Sequence, residues 1–428
     1  MPGFERVALL GRLEAAWQRS DLIFDLLDPK ALLVRPIALR QPFIFYVGHL
    51  AAFAWNQVIG GLLARASTHA ELDQLFARGI DPVGVDAWKP EHAQQWPEYS
   101  DVLRYRDRVR LAIRRSFDDV EALVGSDVLA ANGRVYQLVI EHELMHHETL
   151  LYMVQQLDRT LRRHPPRLPE PRFGGGATQG QVGIAGGRVV LGESFEQVPF
   201  GWDNEFPCIE TEVDGFRMDR TAVRNGEWLE FLESGGYLRR ELWDAEAWAW
   251  RERVGHTHPA FWSRDGERWM YHTLFDSFPL EEVADWPVYV SWAEADAYAR
   301  WARAELPTEA EFHRAAEASG VAWGDSSRGN FDFTNWAPTP VGAYGGDGAL
   351  DLVGNGWEWT RSRFRPFPGF TAWARTYPGY SADFFDDQHY VMLGASWATD
   401  RALVRRRFRN WFQPHYPYVF AKFRCVRR

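Results

Sequence analysis

The stretch EHELMHHETLLYM, residues 141–153, decides how this chain is read. His142 and His146 stand four residues apart, so on a helix both imidazoles project from one face and can grip one metal ion. Glu148, two residues further on, falls off that line and suits a supporting role, orienting an imidazole from behind. His147 points away from the pair and is expected to be a solvent or interface histidine. A third imidazole is available from His49 in FYVGHLAAFAWN (45–56), an apolar helical run where an unpaired histidine is costly. Taken alone, His49 reads as a hydrogen-bonded core histidine; beside a His-x3-His on another helix it reads better as a ligand. HELMH also spells the H-E-x-x-H pattern of zinc hydrolases, with Glu143 as general base. The residues after His146 offer no downstream third ligand for that arrangement, so it stands as an alternative only.

Outward from this stretch, residues up to about 160 are rich in Leu, Ala, Arg and Glu with helical spacing. The spacing predicts helices near 4–28, 43–65, 98–124 and 133–160, an antiparallel four-helix bundle whose interior is a usual place for a metal. The segment RRHPPRLPEPRFGGGATQGQ (162–181) is a linker by its prolines and glycines. Gly174–Gly176 is no phosphate loop, because no helix start follows it. Beyond it the composition changes: only Trp17, Trp55, Trp88 and Trp96 of the 21 tryptophans precede residue 200. The pieces GRVVLGESF, VYVSW and YVMLGASWA read as strands, and EADAYARWARAE (294–305) as a helix. The expected division is therefore 1–161 helical, 162–181 linker and 182–428 α+β, with little regular structure in the last part. At 46% hydrophobic and 25% charged residues the chain can fill a core, which excludes wholesale disorder. A net charge of −10 argues against a nucleic-acid binder. Cys208 and Cys425 alone cannot make a disulfide framework or a multi-cysteine metal site, which fits a cytoplasmic compartment. No signal peptide is visible at the start, and no membrane-spanning run of about 18 uncharged apolar residues is expected.

The Gly48–His49 element, with His142-x3-His146-x-Glu148, resembles the DinB-like bundle of the ergothioneine-biosynthesis sulfoxide synthases, the hercynine oxygenases. The second half resembles their formylglycine-generating-enzyme-like domain, a C-type-lectin-related fold. The stretches that match are FGWDNEFP (200–207), WPVYVSWAEADAYARWA (286–302), LPTEAEFHRAA (306–316), GNGWEWT (354–360), LGASWAT (393–399), RNWF (409–412) and FRCV (423–426). The resemblance implies a multidomain α and α+β protein. It also implies a non-haem Fe(II) held by His49, His142 and His146, with positions left open for substrate and O2. Hercynine and a thiol would be joined there through a C–S bond, with oxidation of the sulfur to a sulfoxide. A catalytic tyrosine lies in TYPGYSADFF (376–385) of some members, which makes Tyr377 and Tyr380 the candidates. The family's Arg-Asn-Trp element maps to Arg409, Asn410 and Trp411; with Phe412, Trp411 could form part of an aromatic cage for a quaternary ammonium. Trp357 and Trp359 are expected to be structural.

Three departures bear on the substrate. Members that use γ-glutamylcysteine carry an arginine-rich loop between the second and third helices. The corresponding stretch here, RGIDPVGVDAWKPEHAQQW (78–96), has one arginine and several acidic residues, so free cysteine is the expected donor. Met145 stands where some members have Gln, and Phe412 where they have Asp. Alternatives are a related synthase using γ-glutamylcysteine, histidine or a selenium donor, and a ligand-binding module without catalysis. Formylglycine generation is disfavoured, because Cys208 and Cys425 are not closely spaced. The resemblance further implies small-molecule partners only, with a pyridoxal-phosphate C–S lyase as pathway successor.

Overall fold

The computed structural model describes residues 3–77, 96–165, 167–177 and 179–428. The stretch 78–96, which carries the donor expectation, lies outside them apart from Trp96. The chain folds as two compact units: Met1–Pro166 together with Trp373–Pro378, and Arg167–Ala372 together with Gly379–Arg428.

The first unit is helical. Its elements are α1 (Arg6–Asp25), α2 (Phe43–Ala54), α3 (Ala70–Leu75), α4 (Tyr99–Arg115), α5 (Phe117–Glu121) and α6 (Arg134–Gln155). α1 packs on α6, and α2 packs on both α4 and α6. α2 starts behind Pro42, whose missing N–H costs a helix start nothing, and every one of its residues is buried. It runs on as a π-helical turn, Trp55–Leu62, which widens the coil. The continuous element Phe43–Leu62 carries no charge and is apolar enough to cross a bilayer by length and composition, which corrects the expectation that no such run exists. Its apolar window is 83% buried among the other helices, as befits the core helix of a bundle. The helix expected over 98–124 is interrupted at Ser116. Its hydroxyl donates to the carbonyl of Ile113 at 2.8 Å and competes with the helical ladder.

The second unit is α+β. A four-stranded sheet has the order Asn410–Phe412, Tyr390–Ala395, Gly356–Arg363 and Ala421–Lys422. Trp357 lies opposite Gly394 in an antiparallel pair and opposite Ala421 in a parallel one. Among the described residues there are three smaller sheets, one of them joining Gln181–Ile184, Phe216–Asp219 and Val426–Arg427. The helices Trp292–Trp301 and Glu309–Ala318 both open with reciprocal caps, Ser291 with Glu294 and Thr308 with Glu311. VYVSW, expected as a strand, is a buried extended segment that ends in this first cap. The second half of the expected linker is not loose chain. The Trp286 indole donates to the Arg172 carbonyl at 2.8 Å, and the Ala177 N–H donates to the Val341 carbonyl at 2.7 Å.

GNGWEWT supplies the centre of this unit. Trp357 and Trp359 are buried, and the Trp359 indole donates to the Val290 carbonyl at 2.9 Å, a packing role. Between them Glu358 is wholly enclosed, with Lys422 at 3.2 Å and Arg424 donating to it at 2.8 Å, both also enclosed. Removing one member of such a set strands the others' charge in a medium that cannot solvate it. Glu358→Ala is therefore expected to cost about 3–5 kcal/mol of stability, measured by urea unfolding. A change near zero would mean the cations find other partners.

Candidate metal centre

The Gly-His element of α2 acquires a physical reason in the fold. A Cβ at Gly48 would lie 2.4 Å from the Phe76 ring, so only glycine lets that ring lie against the helix. Phe76 thereby brings its carbonyl oxygen 2.7 Å from His49 Nδ1, which fixes that nitrogen as the donor. On α6, His146 Nδ1 lies 2.9 Å from the His142 carbonyl one turn earlier. These two backbone carbonyls supply the orienting hydrogen bonds at His49 and His146; Glu148 is half-buried on the same helix.

The metal-binding nitrogens of His49, His142 and His146 converge, one from each ring, all within 4.8 Å of one another. All three residues are buried, and the Nε2 atoms of His49 and His146 have no hydrogen-bond partner. Burial pushes His49 down to about 4 and holds His142 and His146 well below the ordinary histidine value, so all three are neutral at pH 7. Neutral, desolvated imidazoles with unmade bonds are costly to bury, and a cation accepting their lone pairs removes that cost. The residues therefore fit a three-imidazole metal site. Phe53, one turn after His49, lies flush on the His142 ring at 3.5 Å between centroids and 5° between planes.

The alternate face of α6 does something else. Ser20 of α1 donates to Glu143 Oε1 at 2.6 Å, and the same hydroxyl lies 2.8 Å from His147 Nε2. His147 is completely buried, which corrects its reading as a solvent or interface histidine: one residue past His146 it meets α1, not water. Glu143 turns the same way and is pushed up to about 7 by burial. It is thus tied to α1 and not aimed into the histidine cluster, which removes the general base that the zinc-hydrolase alternative needs.

The two tyrosines separate. Tyr377 belongs to the segment that packs with the helical unit, its ring edge-on to Phe53 at 5.3 Å. Tyr380 belongs to the second unit, stacked on Trp202 at 3.9 Å and edge-on to Trp411 at 5.3 Å. In that unit Trp411 lies flat on Phe364 at 4.1 Å, and Phe412 stacks on Tyr416 at 5.2 Å. The Asn410 side-chain oxygen accepts the Trp411 N–H at 2.9 Å. Arg409 is buried and bonds Glu309 through two nitrogens at 2.8 and 3.1 Å, and also the carbonyls of Asn204 and Arg365. Its guanidinium is thereby spent inside the fold, bracing the element that carries Asn410 and Trp411. Phe53, Phe76 and Ser20 were not foreseen from sequence; Gly48 before His49 was the one local signal of a close neighbour.

Two variants separate the faces of α6. His146→Ala is expected to abolish retention of one Fe(II) or Co(II) per chain after gel filtration, measured by metal analysis. Glu143→Gln, which keeps an acceptor for Ser20, is expected to retain it.

Comparison with known proteins agrees with this architecture. Residues 12–150 match the DinB superfamily, and residues 168–428 match the sulfatase-modifying factor enzyme 1-like domain. The chain is 36% identical over 341 residues to hercynine oxygenase of Mycolicibacterium thermoresistibile, covering 71% of this chain and 73% of that one. It is 36% identical over 352 residues to hercynine oxygenase of Mycolicibacterium smegmatis, covering 76% and 78%. Ergothioneine biosynthesis protein 1 of Neurospora crassa is 29% identical over 97% of this chain and 57% of its own length. With both of its domains matched in order and more than two thirds of these bacterial relatives covered, the chain belongs to the hercynine oxygenase family.

Proposed function

We propose that this protein is a non-haem Fe(II) sulfoxide synthase that joins hercynine and L-cysteine with O2 to give hercynyl-cysteine sulfoxide and water. The observation that carries the reading is the buried cluster of His49, His142 and His146 in a chain of the hercynine oxygenase family. The balance is complete without a further reductant. Forming the C–S bond at the expense of one C–H and one S–H releases two electrons, and oxidising the sulfur releases two more. Together these reduce O2 by four electrons, one oxygen atom entering the sulfoxide and the other leaving as water.

His49, His142 and His146 would hold the Fe(II), which would supply O2 activation. The chain's own residues supply the rest. Phe53, Phe45 and Tyr46 wall the imidazoles with aromatic rings: Phe45 stacks on His49 at 4.9 Å, and Tyr46 lies 5.8 Å from His146. Tyr377, packed with the same unit through Phe53, is the hydroxyl we assign to proton delivery. Tyr380 is assigned to the aromatic cluster with Trp202 and Trp411 instead. Asn410, Trp411 and Phe412 are assigned to hercynine, because aromatic rings of this kind suit a trimethylammonium group, with Arg409 holding the element in place. The single arginine in 78–96 supports cysteine over a dicarboxylate thiol. The product keeps an amino-acid side arm on sulfur, so a C–S lyase is the reaction class that would consume it. Action in the cytoplasm on small molecules, with no nucleic acid or membrane partner, completes the reading.

The test is anaerobic reconstitution with Fe(II), then air, hercynine and either cysteine or γ-glutamylcysteine, with mass spectrometry of the products. Hercynyl-cysteine sulfoxide is the expected product. The γ-glutamyl product alone would overturn the donor assignment, and absence of either product together with no O2 uptake would overturn the activity. Tyr377→Phe is expected to lower sulfoxide formation by about 10²-fold and to shift oxidation towards cysteine sulfinate, whereas Tyr380→Phe leaves the product ratio unchanged.

A further inference from the structure

Trp373–Pro378 is separated in sequence by more than two hundred residues from the helices it packs with. Resting on the assignment of Tyr377, we infer that the π-helical turn Trp55–Leu62 is a docking seat for this strap, and that Gln57, Gly61 and Phe53 are positioning residues for Tyr377. Three observations carry this. First, Gln57 is almost fully buried and its amide donates to the Thr376 carbonyl at 3.3 Å, immediately before Tyr377. Second, a Cβ at Gly61 would lie 2.7 Å from the Thr376 methyl group and 2.7 Å from the Asn56 carbonyl oxygen, so the absence of a side chain there serves both the π-helical turn and the approach of the strap. Third, Arg375 clamps Asp127 through two nitrogens at 2.9 and 2.8 Å, and the Asp127 carboxylate also accepts the Leu129 N–H at 2.8 Å.

The seat continues the helix that carries one member of the histidine cluster. His49 and Phe53 lie on α2, and the wider turn that follows carries Gln57 and Gly61 past an ordinary α-helical register. Phe53 is the spacer: one side of it is flat against His142, and Tyr377 meets it edge-on. The placement of the tyrosine beside the histidine cluster thereby depends on its contact with Phe53 and on the depth at which Thr376 settles over Gly61. A strap held higher would leave the hydroxyl short of the reactants while the three imidazoles stay in place.

Gly61→Ala and Gln57→Leu test this, with Tyr377→Phe as reference and Gly61→Ala/Thr376→Ser as the compensating pair. Three quantities are read: Co(II) bound per chain, amide hydrogen exchange across 373–377, and the ratio of hercynyl-cysteine sulfoxide to cysteine sulfinate. Both single variants are expected to keep one Co(II), to exchange at least about tenfold faster in the strap, and to lower the product ratio at least about fivefold. Removing the Thr376 methyl group should restore the part of the ratio that the strap contact accounts for, the clash with the Asn56 carbonyl remaining. A ratio equal to that of the unaltered protein despite faster exchange, while Tyr377→Phe does change it, overturns the positioning role alone. Unchanged exchange in both variants overturns the seat. If Tyr377→Phe itself changes neither rate nor ratio, the tyrosine assignment falls and takes this inference with it.

Discussion

The burial of three neutral imidazoles governs the helical unit. Water is excluded from His49, His142 and His146, so none of them takes up a second proton at neutral pH, and the Nε2 atoms of His49 and His146 have no hydrogen-bond partner. Such an arrangement is costly unless something in the fold holds it and a cation completes it. The holding falls to backbone carbonyls, from Phe76 to His49 and from His142 to His146, because a carbonyl can orient an imidazole without adding charge to the site. Gly48 exists for the same reason: a side chain there would expel Phe76, and with it the carbonyl that orients His49.

α6 serves two environments at once. The residues at 142 and 146 converge with His49. Those at 143 and 147, one step further round, meet the single hydroxyl of Ser20. One short motif therefore contains two of the converging histidines and their anchor to α1. This explains why HELMH can imitate a zinc-hydrolase signature while its glutamate does something different. The second unit solves an analogous difficulty by other means. Glu358 sits among Lys422 and Arg424, and Arg409 is neutralised by Glu309, so buried charge is paired on each occasion.

Much of this was legible beforehand. Helical spacing, the i, i+4 histidines and the change in tryptophan and glycine content are local properties, and they located the helices, two of the three converging residues and the change of fold class. The errors were equally local in origin. VYVSW has strand composition, but Ser291 draws its end into a helix cap; 98–124 has helical spacing, but Ser116 breaks it by bonding back to Ile113. His147 and Phe43–Leu62 were misjudged because exposure depends on what packs against a helix, which no window of sequence contains.

The amino-acid sequence by itself determined the two-part organisation and two of the three converging histidines, because each is written in spacing and residue type; His49 and the kinship with hercynine oxygenases came from its motifs in their order along the chain. Only the tertiary structure decided that Glu143 serves Ser20, that Arg409 is a brace, and that Tyr377 and Tyr380 belong to different units three residues apart. The physical reason is that these roles depend on contacts between residues far apart in the chain: 123 positions for Ser20 with Glu143, 319 for Gln57 with Thr376. Periodicity reports which face of an element is buried; it carries no information about which distant atom is waiting there.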